Sequence, residues 1–218
     1  IALLLIELAS ASASSRCGTT TQHTVVSNNL LRSFEVYWPQ AACTASGSQP
    51  NDATAFLFCL HGWRQSSTWA CQAMCAPYAE SLGFIAVCPQ GTDHAAWGSS
   101  GWNVEVASGW VFDDMTFLRA ALESARTIAG SAQPAYAIGF SLGGTMVQRL
   151  ACEASDLFMG FGVVSQPGPF GTTQGGVFGT ARGEAWALNC NPTVRRPVWS
   201  SIGTQDSIYN VHSARAGW

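Results

Sequence analysis

Short apolar runs recur along the chain and are separated by longer segments of mixed polarity. A continuous apolar run of this length is typical of a strand that is buried on both faces of a parallel sheet. Such runs predict strands over 54–60, 84–87, 135–140, 161–165 and 198–203. Two further extended segments, 19–27 and 31–38, are separated by Asn28-Asn29, and this pattern predicts an antiparallel pair at one edge of the sheet.

Helix-compatible segments lie between these runs and end at glycines. The pattern predicts a helix over 68–82 that ends at Gly83 and a second over 113–128 that ends at Gly130. Asp113 and Asp114 suit the N-cap and first turn of that second helix. A third helix is predicted over 145–154. Strands alternating with helices predict the α/β class, with a mostly parallel sheet and helices on both faces.

Composition narrows the range of functions. The chain has 218 residues, of which only 11% are charged, and a net charge of −3, so neither nucleic acid nor an anionic membrane is an expected partner. Its eight cysteines include no Cys-x-x-Cys pair and its four histidines are scattered, which argues against a zinc site. An even cysteine count instead favours disulfides and an oxidising compartment. Cys71 and Cys75 lie one turn apart on the predicted helix, so we expect bridges from them to other elements.

The first residues have the character of a secretion signal. Residues 1–8 form a short apolar run, and Ala11-Ser12-Ala13 has the small-x-small form that a signal peptidase accepts. The run is too short to span a bilayer. We therefore expect 1–13 to be the remnant of a signal peptide, 14–218 to be a single domain, and the protein to be secreted.

The strongest chemical motif is Gly139-Phe140-Ser141-Leu142-Gly143. It follows the predicted strand 135–140 and precedes a predicted helix, which is the setting of the nucleophile elbow in the α/β-hydrolase fold. The glycines remove the Cβ atoms that would clash in so sharp a turn, and the helix directs its amide dipoles towards the site. The pattern predicts Ser141 as the nucleophile of an acyl-transfer reaction.

Such a reaction also needs donors for the oxyanion, an acid and a base. The backbone amide of Leu142 is one predicted donor, and the amide of Trp63, in His61-Gly62-Trp63 after the strand 54–60, is the other. We expect His61 to shape that loop rather than to act as the base. Asp206 follows the strand 198–203 and is the predicted acid that orients the base. An acid at Asp113-Asp114 would precede the serine and break the usual chain order.

The predicted base does not have an evident place. In this fold the histidine follows the acid after one more strand, and twelve residues follow Asp206. These twelve residues contain one histidine, His212, which is too close to Asp206 for a strand to lie between them. We expect a C-terminally truncated sequence that ends before its last strand, its last helix and the catalytic histidine, with His212 as the alternative base.

Several segments together resemble the secreted esterases that group polyhydroxybutyrate depolymerases with feruloyl and acetylxylan esterases. The segments that carry this resemblance are Leu60-His61-Gly62-Trp63, Leu82 through Gly91, Trp102-Asn103, Asp113 through Leu118, Gly139 through Gly144 and Ile202 through Asp206. The resemblance covers roughly residues 30 to 218. It implies an α/β-hydrolase fold, hydrolysis of carboxylic esters without a metal or organic cofactor, Ser141 as nucleophile and Asp206 as acid. Trp63 departs from the small residue or cysteine expected after His-Gly.

The expected substrates are small or polymeric esters, first feruloyl esters of the plant cell wall and second hydroxybutyrate polyester. Nine tryptophans, among them Trp97, Trp102 and Trp110 in the segment 92–110, could form an aromatic wall for such a substrate or serve the packing of the fold. The rival hypothesis is a secreted, non-catalytic binding protein that has the same fold and lacks the base.

Overall fold

A seven-stranded sheet forms the centre of the protein. The computed structural model describes residues 16–43, 53–94, 98–104, 112–166 and 190–206. The sheet consists of β1 (Thr19–Ser27), β2 (Leu30–Trp38), β3 (Phe56–Leu60), β4 (Ile85–Pro89), β7 (Ala135–Phe140), β8 (Phe161–Val164) and β9 (Val198–Ser201), while β5 (Thr92–His94) and β6 (Ser99–Gly101) form a separate hairpin.

The strands follow the order β1-β2-β4-β3-β7-β8-β9. The five strands from β4 to β9 in this order are parallel, and β2 pairs antiparallel with both β1 and β4. Asn28 and Asn29, at φ 49° and φ 61°, form the turn between β1 and β2. The predicted mostly parallel sheet with an antiparallel pair at one edge is confirmed.

Helices cover both faces of the sheet. One helical segment comprises α1 (Ser67–Trp69), a π-helical stretch (Ala70–Cys75) and α2 (Ala76–Leu82), and it packs on one face against alternate residues of β3 and β4. On the other face, α3 (Asp114–Ala129) and α4 (Leu142–Glu153) pack over the larger apolar core. Gly83 and Gly130 end α2 and α3 in the left-handed conformation, as predicted.

Two features differ from the sequence prediction by more than shifts of one or two residues at the ends of elements. Helix α4 begins at Leu142, directly after Ser141, rather than at residue 145. The segment predicted as a loop from residue 92 contains the hairpin of β5 and β6, whose three-residue polar strands carry no hydrophobic pattern. The predicted signal-peptide remnant 1–13 lies outside the described residues.

All eight cysteines form disulfides. Cys75 on the helical segment is bonded to Cys59 on β3, and Cys71 is bonded to Cys88 on β4. The prediction that Cys71 and Cys75 bridge to other elements is therefore confirmed. The other pairs are Cys17–Cys43 and Cys152–Cys190. Disulfides of this number are characteristic of proteins from oxidising compartments. In the described part of the chain, every helix is too short or too polar to cross a bilayer.

An ion pair buried in the protein joins β2 to the start of α3. Arg32 Nη2 lies 2.6 Å from Asp114 Oδ1, and the two side chains are 4% and 0% exposed. The other carboxylate oxygen accepts a hydrogen bond from the Asn103 amide at 2.6 Å, and the Arg32 guanidinium lies over the Phe117 ring. Because a guanidinium remains charged even when buried, its close partner is the ionised carboxylate. Asp113 fills the predicted N-cap role by accepting from the Thr116 amide at 3.0 Å.

We expect Asp114→Ala to lower the free energy of unfolding by about 3–5 kcal/mol, because it leaves the Arg32 guanidinium buried without its counterion. This corresponds to a melting temperature lower by roughly 10 °C in a chain of this size. Glu123→Ala, at an exposed position of the same helix, is the matched control and should change the free energy by less than about 0.5 kcal/mol. Equal effects of the two substitutions in thermal and denaturant unfolding would contradict the prediction.

Candidate active site

Ser141 lies at a strained turn between β7 and α4. Its backbone has φ 52° and ψ −121°, a conformation that is uncommon for a residue with a Cβ atom. The Ser141 amide donates to the Val164 carbonyl at the end of β8, 2.9 Å away, and the Ser141 carbonyl accepts from the Thr145 amide within the first turn of α4. The turn therefore presents the serine at the carboxyl edge of the sheet, as the Gly-x-Ser-x-Gly pattern predicts.

The glycines on either side of Ser141 allow backbone contacts that a side chain would prevent. A methyl group at Gly139 would lie 2.2 Å from the Gly143 carbonyl oxygen. A methyl group at Gly143 would lie 2.3 Å from the Leu60 carbonyl oxygen and 2.5 Å from that of His61. The turn is thus in direct backbone contact with the end of β3.

The loop that follows β3 lies beside the same turn. A methyl group at Gly62 would come within 3.3 Å of the carbonyl oxygen of Phe140, the residue before Ser141. The next residue, Trp63, is half-buried, and its indole Nε1 donates to Ser99 Oγ at 2.8 Å. The loop that carries the predicted donor residue Trp63 therefore lies against Phe140, the residue before Ser141.

His61 is fully buried beneath this loop. Its Nδ1 donates to the Gly62 carbonyl at 2.7 Å, and its Nε2 accepts from the Gly91 amide at 3.0 Å. Burial lowers the pKa of His61 to about 4, so the ring is neutral at ordinary pH. Both ring nitrogens are engaged by the backbone, which fits the structural role expected of this histidine.

Asp206 lies beyond β9 on the same edge of the sheet. Its amide donates to the Gly203 carbonyl at 3.1 Å, and the side chain is partly exposed. Strand β9 pairs with β8, and β8 pairs with β7, so Asp206 follows a strand that lies two positions from the strand of Ser141. Two strand spacings correspond to about 10 Å.

The histidine side chains that the structure describes are those of His23 and His61. His23 lies on the edge strand β1, four strand positions from β7, and contacts Thr21 Oγ1. His61 is buried as described above. His212 lies outside the described residues, as do Trp97 and Trp110 of the expected aromatic wall. Trp102 is fully buried and donates to the His61 carbonyl at 2.8 Å, so this tryptophan serves the packing of the fold.

Sequence reasoning missed the residues that support the loop after β3. Gln65 Oε1 accepts from the Gly62 amide at 2.7 Å, and Ser100 Oγ on β6 donates to the Gln65 carbonyl at 2.6 Å. The backbone of Arg64, at φ 62°, donates to the Ser100 carbonyl at 2.9 Å. In the sequence, the contact is indicated only by a glutamine three residues after a glycine. This spacing is too common to predict a hydrogen bond between the two residues.

Two depressions on the surface of the described residues lie away from Ser141. Two surface depressions of about 340 and 350 Å³ are lined in part by the Cys152–Cys190 disulfide and by Trp199, respectively, and neither is lined by Ser141, Trp63 or Asp206. Within the described ranges, no three histidine, cysteine or acidic side chains are grouped as metal ligands would be.

The neutral, buried state of His61 makes the stability of the protein depend on pH. The pKa is about 4 in the folded protein and about 6.5 when the chain is unfolded, so the unfolded state binds the proton first. The contribution of the neutral His61 to the free energy of unfolding is fully present above pH 6.5. It is lost as the pH falls towards 4, which lowers the free energy of unfolding by about 3 kcal/mol. We expect His61→Gln to remove this component, so that urea unfolding at pH 7 and pH 4 shows a smaller difference than in the wild type. An unchanged difference would contradict the prediction.

The chain is similar in structure to several solved proteins. No protein-family model and no curated protein sequence matches the chain. Solved structures do match: an acetyl xylan esterase from Aspergillus awamori aligns with a TM-score of 0.63 at 15% identity, over 88% of this chain and 76% of that one. A cold-adapted esterase from an Arctic intertidal metagenomic library aligns with a TM-score of 0.60 at 16% identity, over 90% and 77%.

A ferulic acid esterase aligns with a TM-score of 0.50 at 18% identity, over 67% of this chain. The aligned part is 58% of the length of that esterase. At these identities the similarity concerns the fold and not the activity. Together with the strand order and the helices on both faces of the sheet, it shows that the chain has the α/β-hydrolase fold.

Proposed function

We propose that the protein is a serine carboxylic-ester hydrolase that works through an acyl-enzyme. The observation that carries this proposal is the conformation of Ser141, which is held at φ 52° in the turn between β7 and α4. A strained serine at the carboxyl edge of a parallel sheet, at the start of a twelve-residue helix, is the arrangement of a nucleophile elbow. The esterases that share the fold support the same class of reaction.

In the proposed mechanism the base takes the proton from Ser141 Oγ, and the oxygen attacks the carbonyl carbon of the ester. The backbone amides of Leu142 and Trp63 stabilise the negative charge that develops on the carbonyl oxygen. The intermediate then breaks its bond to the alcohol, which leaves with the proton from the base, and the acyl group stays on Ser141. Water, activated by the same base, attacks the acyl-enzyme and releases the acid.

Asp206 is the proposed acid that holds the base in its reactive tautomer. Its position beyond β9, on the edge of the sheet that also carries Ser141, supports this role. On this proposal the base is a histidine in the chain that follows Asp206. His61 is a poor candidate because both of its ring nitrogens are bonded to the backbone.

The proposed substrates are feruloyl esters of plant cell-wall material, with hydroxybutyrate polyester as the second choice. The names of two structural neighbours, a ferulic acid esterase and an acetyl xylan esterase, support the first choice. We also propose that the protein is secreted, because four disulfides join elements of the described fold and residues 1–13 resemble a signal-peptide remnant.

Ser141→Ala in the full-length gene product should lower the hydrolysis of p-nitrophenyl acetate by more than about 1,000-fold and abolish labelling by a fluorophosphonate probe, since both reactions require the nucleophile. Ser81→Ala, on the exposed side of α2, is the control and should behave like the wild type. Full activity of Ser141→Ala would disprove the proposal. A wild-type protein that neither hydrolyses the ester nor reacts with the probe would instead favour the non-catalytic binding protein.

The substrate proposal predicts a preference that can be measured by chromatography of the released acids. We expect kcat/KM for methyl ferulate to exceed that for a soluble hydroxybutyrate oligomer by at least about tenfold, a difference of about 1.4 kcal/mol in transition-state binding. The reverse order would favour the polyester.

A further inference from the structure

We propose that Gln65 is a positioning residue of the oxyanion hole, which holds the backbone of Gly62 so that the amide of Trp63 faces the reacting carbonyl. The inference rests on the proposed function of Ser141. It assigns a role to a side chain that need not touch the substrate. The observation behind it is a set of hydrogen bonds that fixes both peptide groups of Gly62.

The first of these peptide groups joins His61 to Gly62. Its N–H donates to Gln65 Oε1 at 2.7 Å, and its carbonyl, that of His61, accepts from the Trp102 indole at 2.8 Å. Both polar ends of the group therefore have partners inside the protein. The Gly62 amide is directed to Gln65 and not to a substrate.

The second peptide group joins Gly62 to Trp63, and its orientation determines where the Trp63 amide points. Its carbonyl, that of Gly62, accepts from His61 Nδ1 at 2.7 Å and from the Gln65 amide at 3.3 Å. Because a trans peptide is planar, its N–H points away from its C=O. Fixing the Gly62 carbonyl on the side of His61 and Gln65 therefore fixes the Trp63 N–H on the opposite side.

Gly62 needs such restraint because glycine is the most flexible residue and here lies against the turn of Ser141. A methyl group on it would lie 2.7 Å from Gln65 Oε1 and 3.3 Å from the Phe140 carbonyl oxygen, so a side chain here would displace the Gln65 amide group. Gln65 supplies that restraint from outside, with its side chain on one peptide group and its backbone amide on the next.

Gln65 is itself held by the β5–β6 hairpin. Ser100 Oγ donates to the Gln65 carbonyl at 2.6 Å, and the Ser100 carbonyl accepts from the Arg64 amide at 2.9 Å. Glutamine also suits the position electrostatically, because its amide accepts a hydrogen bond without bringing a negative charge close to a developing oxyanion. The hairpin thus gives the loop after β3 a fixed support.

The test uses the full-length protein and three substitutions, with p-nitrophenyl acetate as substrate and an aryl boronic acid as the inhibitor that forms a tetrahedral adduct with the nucleophile. Gln65→Leu removes the acceptor and should lower kcat about 10- to 100-fold, less than the loss of a whole donor, with KM within about twofold. The inhibition constant of the boronic acid should rise by the same factor as kcat falls.

Ser66→Ala is the matched control in the neighbouring residue. Ser66 caps α1 by accepting from the Trp69 amide at 3.2 Å, and in the part of the chain that the structure describes it does not hydrogen-bond to Gly62. This change should therefore lower the melting temperature and leave kcat and the boronic acid constant unaltered. Ser100→Ala removes one support of Gln65 and should lower kcat and weaken the boronic acid by one common, smaller factor of about three to ten. It serves as the test if Gln65→Leu does not fold.

The outcomes distinguish a failure of the role of Gln65 from a failure of the proposed function of Ser141. If Ser141→Ala abolishes activity while Gln65→Leu, or Ser100→Ala in its place, retains the wild-type kcat, the role of Gln65 is overturned and the proposed function stands. A fall in kcat without a matching change in the boronic acid constant likewise overturns it, because an oxyanion hole must affect both. Full activity of Ser141→Ala removes the proposed function and the role of Gln65 with it.

Discussion

The backbone contact between Gly143 and the end of β3 is the constraint on which the arrangement of the site depends. Parallel strands β3 and β7 are neighbours, so the turns at their carboxyl ends meet at one edge of the sheet. A methyl group at Gly143 would lie 2.3 Å from the Leu60 carbonyl oxygen, a distance that no side chain could tolerate. This contact holds the end of β3, from which the loop of Gly62 and Trp63 continues, against the strained turn of Ser141.

Two disulfides and a buried ion pair join the helices to the sheet that carries these turns. The two disulfides between the helical segment and strands β3 and β4 secure one face of the sheet close to the site. On the opposite face, the Arg32–Asp114 pair joins the antiparallel edge to α3, and the Asp114 carboxylate also holds the Asn103 amide. Only 11% of the residues are charged, and this pair is buried, so it holds β2 in position relative to α3 and adds no charge to the surface.

The side chains that form hydrogen bonds to the loop after β3 are neutral. His61 is uncharged at ordinary pH because its burial lowers its pKa to about 4, and Gln65, Ser99 and Ser100 are uncharged polar residues. Neutral donors and acceptors can fix peptide groups without adding a field of their own at the place where a negative charge would form. The hairpin of β5 and β6, which carries the two serines, therefore supports this loop although its strands have only three residues each.

The sequence by itself determined the buried strands, the glycine helix ends, the antiparallel edge and the turn of Ser141, because each depends on local periodicity or on the backbone freedom of single residues. Only the tertiary structure decided which cysteines pair, since eight thiols allow on the order of a hundred pairings. It likewise decided the Arg32–Asp114 pair, 82 residues apart in the chain, and the contact of Gln65 with Gly62. These interactions leave no periodic pattern, because they depend on where distant segments meet after the sheet has formed.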